Sequence, residues 1–315
     1  MSPRPVVVGN LNVDMIMGPL PPWPQHGTEC LLPDYELRVG GSAGNAALAF
    51  QGLGMQPFLV SNVGGDLFAD WLDDGMPMDK AIFREATSTT VSVGITHPNG
   101  ERTFLTNSGH IGALAPDFVS DALARFVEPG APVLFCGAFL TTLLADAYEE
   151  VFALIRAKGG AVAVDTGWPP SGWNPQSRAD LRRWAGMVDH LLLSEAEILG
   201  LTETGSINAA AAQMLPSLRP GGALVAKLGA AGAAAWRGGE TASWPAPQVE
   251  VFDTIGAGDV FNAAYLASVL RGASLAEAVR AGVESASIAI STRPRRYEFP
   301  APPEYPALLQ GHGQR

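Results

Sequence analysis

The stretch Asp253-Thr254-Ile255-Gly256-Ala257-Gly258-Asp259 runs directly into the apolar segment Val260–Leu270. Two glycines one residue apart, ahead of a helical run, let successive backbone N–H groups converge on one point, and the positive end of the helix dipole adds to them. Such a junction suits an anion. Yet Asp259 puts a carboxylate at its edge, where it would repel a resting phosphate. The arrangement makes chemical sense if Gly256, Ala257 and Gly258 hold charge that grows on a phosphoryl group in transfer. Asp259 would then take the proton from the hydroxyl attacking that phosphorus. The same residues also read as an ordinary helix start, because Asp is a good N-cap and glycine opens many helices.

A second glycine turn before a helix lies in Gly40–Gly64, GGSAGNAALAFQGLGMQPFLVSNVG. Asn45 there can both donate and accept hydrogen bonds to a polyol. The competing reading is helix capping, with close helix–sheet packing through the alanines. Other nucleotide motifs are excluded. No lysine follows a glycine, as a P-loop requires, and the first strand ends in Gly9-Asn10-Leu11-Asn12 rather than G-x-G-x-x-G. The five scattered histidines include no H-E-x-x-H pattern.

The elements that must position these residues follow from the apolar pattern. Val6–Val8 reads as a buried strand, and a second short strand carries Asp14. A strand in PFLVSNVGGD ends at a glycine loop. From Pro116 onward strands alternate with helices: PVLFCG, a helix over LADAYEEVFALIRAKG, AVAVDTG, DHLLLSEAEILGL, and a hairpin in GALVAKLGAAGAAAW. The helix after Gly258 and a last helix, Leu275 to Ile290, close the domain. This rhythm predicts an α/β fold with a mostly parallel sheet covered on both faces. Two segments break the rhythm. Residues 12–39 and 88–107, the latter with Val91, Val93 and Ile95 alternating before a PNG turn, predict a small β lid. The Pro-rich tail after Arg293 reads as irregular.

With 315 residues, 47% of them hydrophobic, the chain can form one large domain, residues 1–315, carrying the lid. The net charge of −11 and the absence of a basic stripe beyond Arg293–Arg296 exclude a nucleic-acid partner. Cys30 and Cys136 are far apart and read as reduced core thiols. No apolar run suggests a leader or a membrane span, so a cytoplasmic protein is expected.

The two glycine stretches together resemble the signatures of the ribokinase-like carbohydrate kinases, the PfkB family. The first signature reads Gly40-Gly41-Ser42-Ala43-Gly44-Asn45-Ala46-Ala47, with Gly54 and Gly64 at the later spacings. The second reads Asp253 to Asp259, then Asn262-Ala263-Ala264. Their order and separation extend the resemblance over residues 5–292. It implies a ribokinase-like three-layer α/β/α fold with a small β-sheet lid, and transfer of the γ-phosphoryl group of ATP to a hydroxyl of a small carbohydrate. By resemblance Asp259 is the catalytic base and Gly256, Ala257 and Gly258 the anion hole. Asn12, Asp14, Gly40, Gly41, Asn45 and His110 fall where the family meets its substrate. Ser194 and Glu197 match the family's Asn-x-x-Glu motif near Mg²⁺, with serine in place of asparagine. Lys227, Gly229 and Gly232 match the turn that contacts ATP. Asp253 holds a position where some relatives bind a monovalent cation such as K⁺. Trp23, Trp168 and Trp173 lie in Pro/Gly loops, where one indole can stack on a ring, although core or surface packing is the default reading for each. The apolar lid face suggests a homodimer contact. A nucleoside kinase of the same fold and a non-catalytic sugar-binding regulator are the alternatives.

Overall fold

The computed structural model describes residues 3–20, 23–98, 102–293 and Tyr297. The predicted Pro-rich tail, the tip of the PNG turn and most of the Arg293–Arg296 cluster lie outside the described residues. Thirteen strands are present among the described ones. They are β1 Val6–Gly9, β2 Asn12–Met17, β3 Tyr35–Gly40, β4 Phe58–Val63, β5 Lys80–Arg84, β6 Val91–Thr96 and β7 Arg102–Thr106. These are followed by β8 Pro132–Cys136, β9 Ala161–Asp165, β10 His190–Ser194, β11 Ala223–Lys227, β12 Ala233–Arg237 and β13 Glu240–Trp244.

Nine strands form one sheet in the order β13-β12-β11-β10-β9-β8-β1-β4-β5, parallel from β11 to β5 and antiparallel at β12 and β13. The Val, Leu and Phe residues of β1, β4 and β8 are buried throughout, as a sheet covered on both faces requires. Two apolar clusters lie on its two sides, one around Phe135, Tyr148, Phe152 and Trp184, the other around Phe50, Phe261 and Tyr265. The second cluster joins the Ser42–Gly52, Ala257–Leu270 and Leu275–Ile290 helices to the sheet, so both glycine-led helices belong to one layer.

The other four strands form a separate small sheet in the order β3-β2-β6-β7. β2 is antiparallel to β3 and parallel to β6. One face carries the row Leu37, Met15, Val93 and Leu105; Asp14 and Arg38 are directly paired and share the opposite face.

Three sequence expectations need correction. The single helix over LADAYEEVFALIRAKG is two, Thr142–Ala145 and Tyr148–Ala157. The break lets Tyr148 turn into the core and set its hydroxyl 2.7 Å from Thr141 Oγ1. β5 gives no clear alternation and was not expected. Its half-exposed pattern is that of the sheet's edge strand. Cys136 is buried as expected, but Cys30 is an exposed free thiol and not a core residue.

Candidate active site

β1 is the strand at which the order of the large sheet reverses, with β4 on one side and β8 on the other. In open α/β sheets such a switch point opens a crevice at the carboxyl ends of the strands. The polar residues of interest collect along that edge. Asn10 follows β1, Asp165 ends β9, Ser194 ends β10 and Lys227 ends β11, with Ser194 and Lys227 in register. Asp165 is thus a functional candidate that motif reading missed. Its signal was a carboxylate ending an otherwise apolar strand, AVAVD.

Gly256 and Gly41 are the N-caps of their helices, with φ of 72° and 81°, in a region glycine adopts without strain. Asp66, Asn174, Ser194, Ser206 and Ser274 cap their helices with side chains. At Gly256 and Gly41 no cap side chain competes for the first-turn N–H groups, which suits an incoming anion. A Cβ on Gly41 would lie 2.4 Å from Asn10 O and 2.6 Å from Asn12 Oδ1, so the close approach itself demands glycine.

The helix begins at Ala257, so Asp259 is its third residue and not its N-cap. That removes the capping reading of the carboxylate. Asp259 is 8% exposed, and Asn45 Nδ2 donates to its Oδ2 at 2.9 Å. Tyr297 donates from its hydroxyl to Asn45 Oδ1 at 2.7 Å. An amide whose oxygen already accepts must present its nitrogen to the carboxylate, so Tyr297 fixes the orientation of Asn45 and Asn45 that of Asp259.

On the small sheet, Asn12 Nδ2 donates to Asp14 Oδ1 at 2.9 Å, and Asn10 Nδ2 donates to Asn12 Oδ1 at 3.1 Å. All three residues are buried. A carboxylate only accepts, so it sets the direction of both amides. Gly40 abuts Asp14 so closely that a Cβ there would lie 2.2–2.4 Å from its carboxyl atoms. Asn12, Asp14, Gly40 and Gly41 therefore form one constellation, while Asn45 pairs directly with Asp259.

A second charged group forms at the ends of β9–β11. Lys227 Nζ donates to Asp165 Oδ2 at 2.6 Å and to Asn262 Oδ1 at 3.3 Å, and Asn262 Nδ2 donates to the same Asp165 oxygen at 2.5 Å. Burial opposes the Lys227 charge, but Asp165, Glu197 and Asp259 outweigh it and hold its pKa above the ordinary lysine range. Glu197 is pushed up, first by burial and then by the charge of Asp165, with Lys227 and the Ser194 contacts pulling the other way. Gly258 packs toward Lys227, a Cβ there lying 3.4 Å from Nζ. Two carboxylates and one ammonium beside a glycine-capped helix start have the chemistry to meet a nucleotide that carries its own hydrated Mg²⁺. Among the described residues no group of three or more His, Cys, Asp or Glu could hold a metal ion.

Ser194 closes a capping box with Glu197: its backbone N–H donates to Glu197 Oε2 at 2.6 Å and its Oγ accepts from Glu197 N. Gly229 lies in the short turn between β11 and β12 with open space beside it. Gly232 is held by packing, since a Cβ would lie 2.0 Å from Trp244 O. Trp168 is exposed, Trp173 packs on Gly200, and Trp23 is exposed near His97.

His110 departs from the substrate contact expected of it. It is fully buried, its Nδ1 accepts from Thr90 N at 3.0 Å and its Nε2 meets Leu11 O at 2.9 Å. Burial holds its pKa below the ordinary histidine value. Both nitrogens serve the backbone, so this side chain ties the loop before the Pro116–Phe126 helix to the start of β2. Asp253 also differs from expectation. Its Oδ2 is 2.6 Å from Arg38 Nη2 and its Oδ1 accepts from Ile255 N at 2.9 Å. A guanidinium already neutralises the carboxylate, so the residues present do not fit an additional monovalent cation there.

A cleft of roughly 1150 Å³ lies between the small sheet and this loop, lined among others by Ile16, Arg38, Phe104, Phe252, Thr254 and Gly256. No helix among the described residues is long and apolar enough to cross a membrane.

The model of the pfkB family carbohydrate kinases matches residues 4–301. A 1-phosphofructokinase of Rhodobacter capsulatus is 33% identical over 168 residues, which is 52% of this chain and only half of that protein. A fructokinase of Klebsiella pneumoniae is 28% identical over 76% of this chain and 80% of its own length. Among solved structures, a putative ribokinase II from E. coli in complex with ATP and Mg²⁺ shares the fold, with a TM-score of 0.81 and 20% identity, covering 98% of this chain and all of the other.

Proposed function

We propose, from the premise that this chain belongs to the pfkB family of carbohydrate kinases and phosphorylates a sugar with ATP, that Asp259 is the general base of the transfer. One observation carries the reading. A buried carboxylate sits in the first turn of a glycine-capped helix, and the first turn of the other glycine-capped helix donates a hydrogen bond to it. In this reading Asp14 and Asn12 accept and donate to the sugar hydroxyls, with Gly40 and Gly41 leaving room for the ring. Asn45 aims Asp259, which takes the hydroxyl proton as oxygen attacks the γ-phosphorus. The backbone of Gly256, Ala257 and Gly258 meets the charge that grows on the phosphoryl oxygens.

Glu197 and Asp165 face the hydrated metal, while Lys227 and the open turn at Gly229 face the phosphates. Bound Mg²⁺ supplies neutralisation of phosphate charge. Ser194 serves the site by fixing Glu197. The small sheet acts as a lid that excludes water, which would otherwise compete as acceptor. Its row Leu37, Met15, Val93 and Leu105 supports a homodimer formed through the lid.

The test is coupled ADP release across hexoses, pentoses, sugar acids and nucleosides, with Asp259→Asn alongside. Turnover on a sugar that collapses in the variant is expected. Turnover on nucleosides alone, or sugar and ATP binding without ADP release, would overturn the reading.

A further inference from the structure

We propose that Arg38 is a positioning residue: a resident cation that locks the anion-hole loop to the sugar clamp, doing the work of a dissociable monovalent ion. The proposal rests on the reading of Gly256–Gly258 as the anion hole. Arg38 lies on β3 directly opposite Asp14 on β2, and Gly40, two residues further along the same face, abuts the Asp14 carboxylate. Its side chain is 13% exposed and reaches out of the small sheet to Asp253, with Nη2 2.6 Å from Oδ2.

Asp253 lies in the loop that leads from β13 into the nest. Its other oxygen accepts from Ile255 N, which fixes the turn immediately before Gly256. The backbone N–H groups of Phe252 and Asp253 both reach Ile290 O, at 2.8 and 3.3 Å, so the loop is anchored from behind by the last helix. The carboxylate is therefore the joint between two bodies. One oxygen shapes the nest and the other holds the lid strand. Glu36 also approaches the guanidinium, with Oε1 3.8 Å from Nη1. Removing Arg38 would take away the guanidinium that both Asp253 and Glu36 approach. A fixed guanidinium brings its charge without the entropy of capturing an ion. Moving β3 moves Arg38 and the wall of the Asp14 pocket together. Seating the sugar and setting the nest are then one event.

The test compares wild type, Arg38→Lys and Arg38→Ala for kcat, sugar KM, ATP KM and thermal melting, each with Na⁺, K⁺ or guanidinium chloride at matched low concentration. The wild type is expected to be indifferent to K⁺. Arg38→Ala should lose about tenfold or more in kcat, with ATP KM within threefold of wild type. Guanidinium or K⁺ should restore part of that loss, and Arg38→Lys should retain more activity than Arg38→Ala. Three results would each overturn the proposal: a wild type that needs added K⁺, an Arg38→Ala variant with unchanged kcat, or a loss confined to sugar KM. An equal loss in the Lys and Ala variants that no cation relieves would assign Arg38 a shape role only and would also overturn it. Failure of the phosphoryl-transfer reading to which the anion hole belongs is separable, because it shows as a well-folded Asp259→Asn enzyme with near wild-type turnover and not in cation dependence.

Discussion

Gly40→Ala tests the sugar clamp without replacing any polar side chain. Gly40 has no positive φ, so its backbone accepts alanine. The new methyl would lie 2.2 Å from Asp14 Cγ and 2.3 and 2.4 Å from its two oxygens. Ordinary contact for a methyl needs about 3.5–4 Å, so the carboxylate must move by more than roughly 1 Å. Losing a charged acceptor to hydroxyls costs about 1.5–3 kcal/mol, equivalent to a ten- to hundredfold rise in sugar KM. Asp14→Ala sets the upper bound. In the Asp14→Ala background the added methyl meets no carboxylate, so the double variant should be no worse than Asp14→Ala alone. Such non-additivity marks two residues acting through one contact. Steady-state kinetics by coupled ADP release give the sugar KM, and ATP KM and melting serve as controls. A Gly40→Ala sugar KM within twofold of wild type, or effects that multiply in the double variant, would refute the clamp.

Glu197→Gln keeps the capping box, because Gln also accepts from the Ser194 N–H. The variant should melt like wild type yet need more Mg²⁺ for half-maximal rate; superimposable Mg²⁺ titrations would reduce Glu197 to a helix cap. His190 predicts acid sensitivity. Its imidazole is buried beside the Tyr265 hydroxyl, and burial lowers its pKa to about 4. The unfolded chain binds the proton near 6.5, so protonation favours unfolding as pH falls below that value. The loss reaches about 2 kcal/mol at pH 5. Denaturant titrations at pH 7 and 5 should show it, and His190→Asn should flatten the difference. Equal slopes for the two proteins would refute the assignment.

The fold and the two glycine-led helices were legible because both depend on local chemistry. Apolar runs dictate the buried strands, and glycine takes the positive φ at Gly41 and Gly256 without strain. What stayed hidden depends on contacts far apart in the chain. Asp165 meets Lys227 and Asn262 only once β9 and β11 share a sheet with β10 between them. Tyr297 lies 252 residues from the Asn45 it orients. The family resemblance implied a substrate contact for His110, but its side chain is buried and both ring nitrogens meet the backbone. The signature carboxylate Asp253 is visible in the sequence, but its partner Arg38 sits in an unremarked lid strand.

Asp259→Asn tests the central claim most directly. The helix is capped by Gly256, so the substitution removes no cap, and an asparagine oxygen can still accept from Asn45 Nδ2. The fold and the binding of ATP and sugar should survive, while the proton acceptor is lost. The account predicts thermal melts, with and without ligands, close to wild type and kcat lower by roughly 10²–10⁴. A well-folded Asp259→Asn enzyme turning over at near wild-type rate would contradict it.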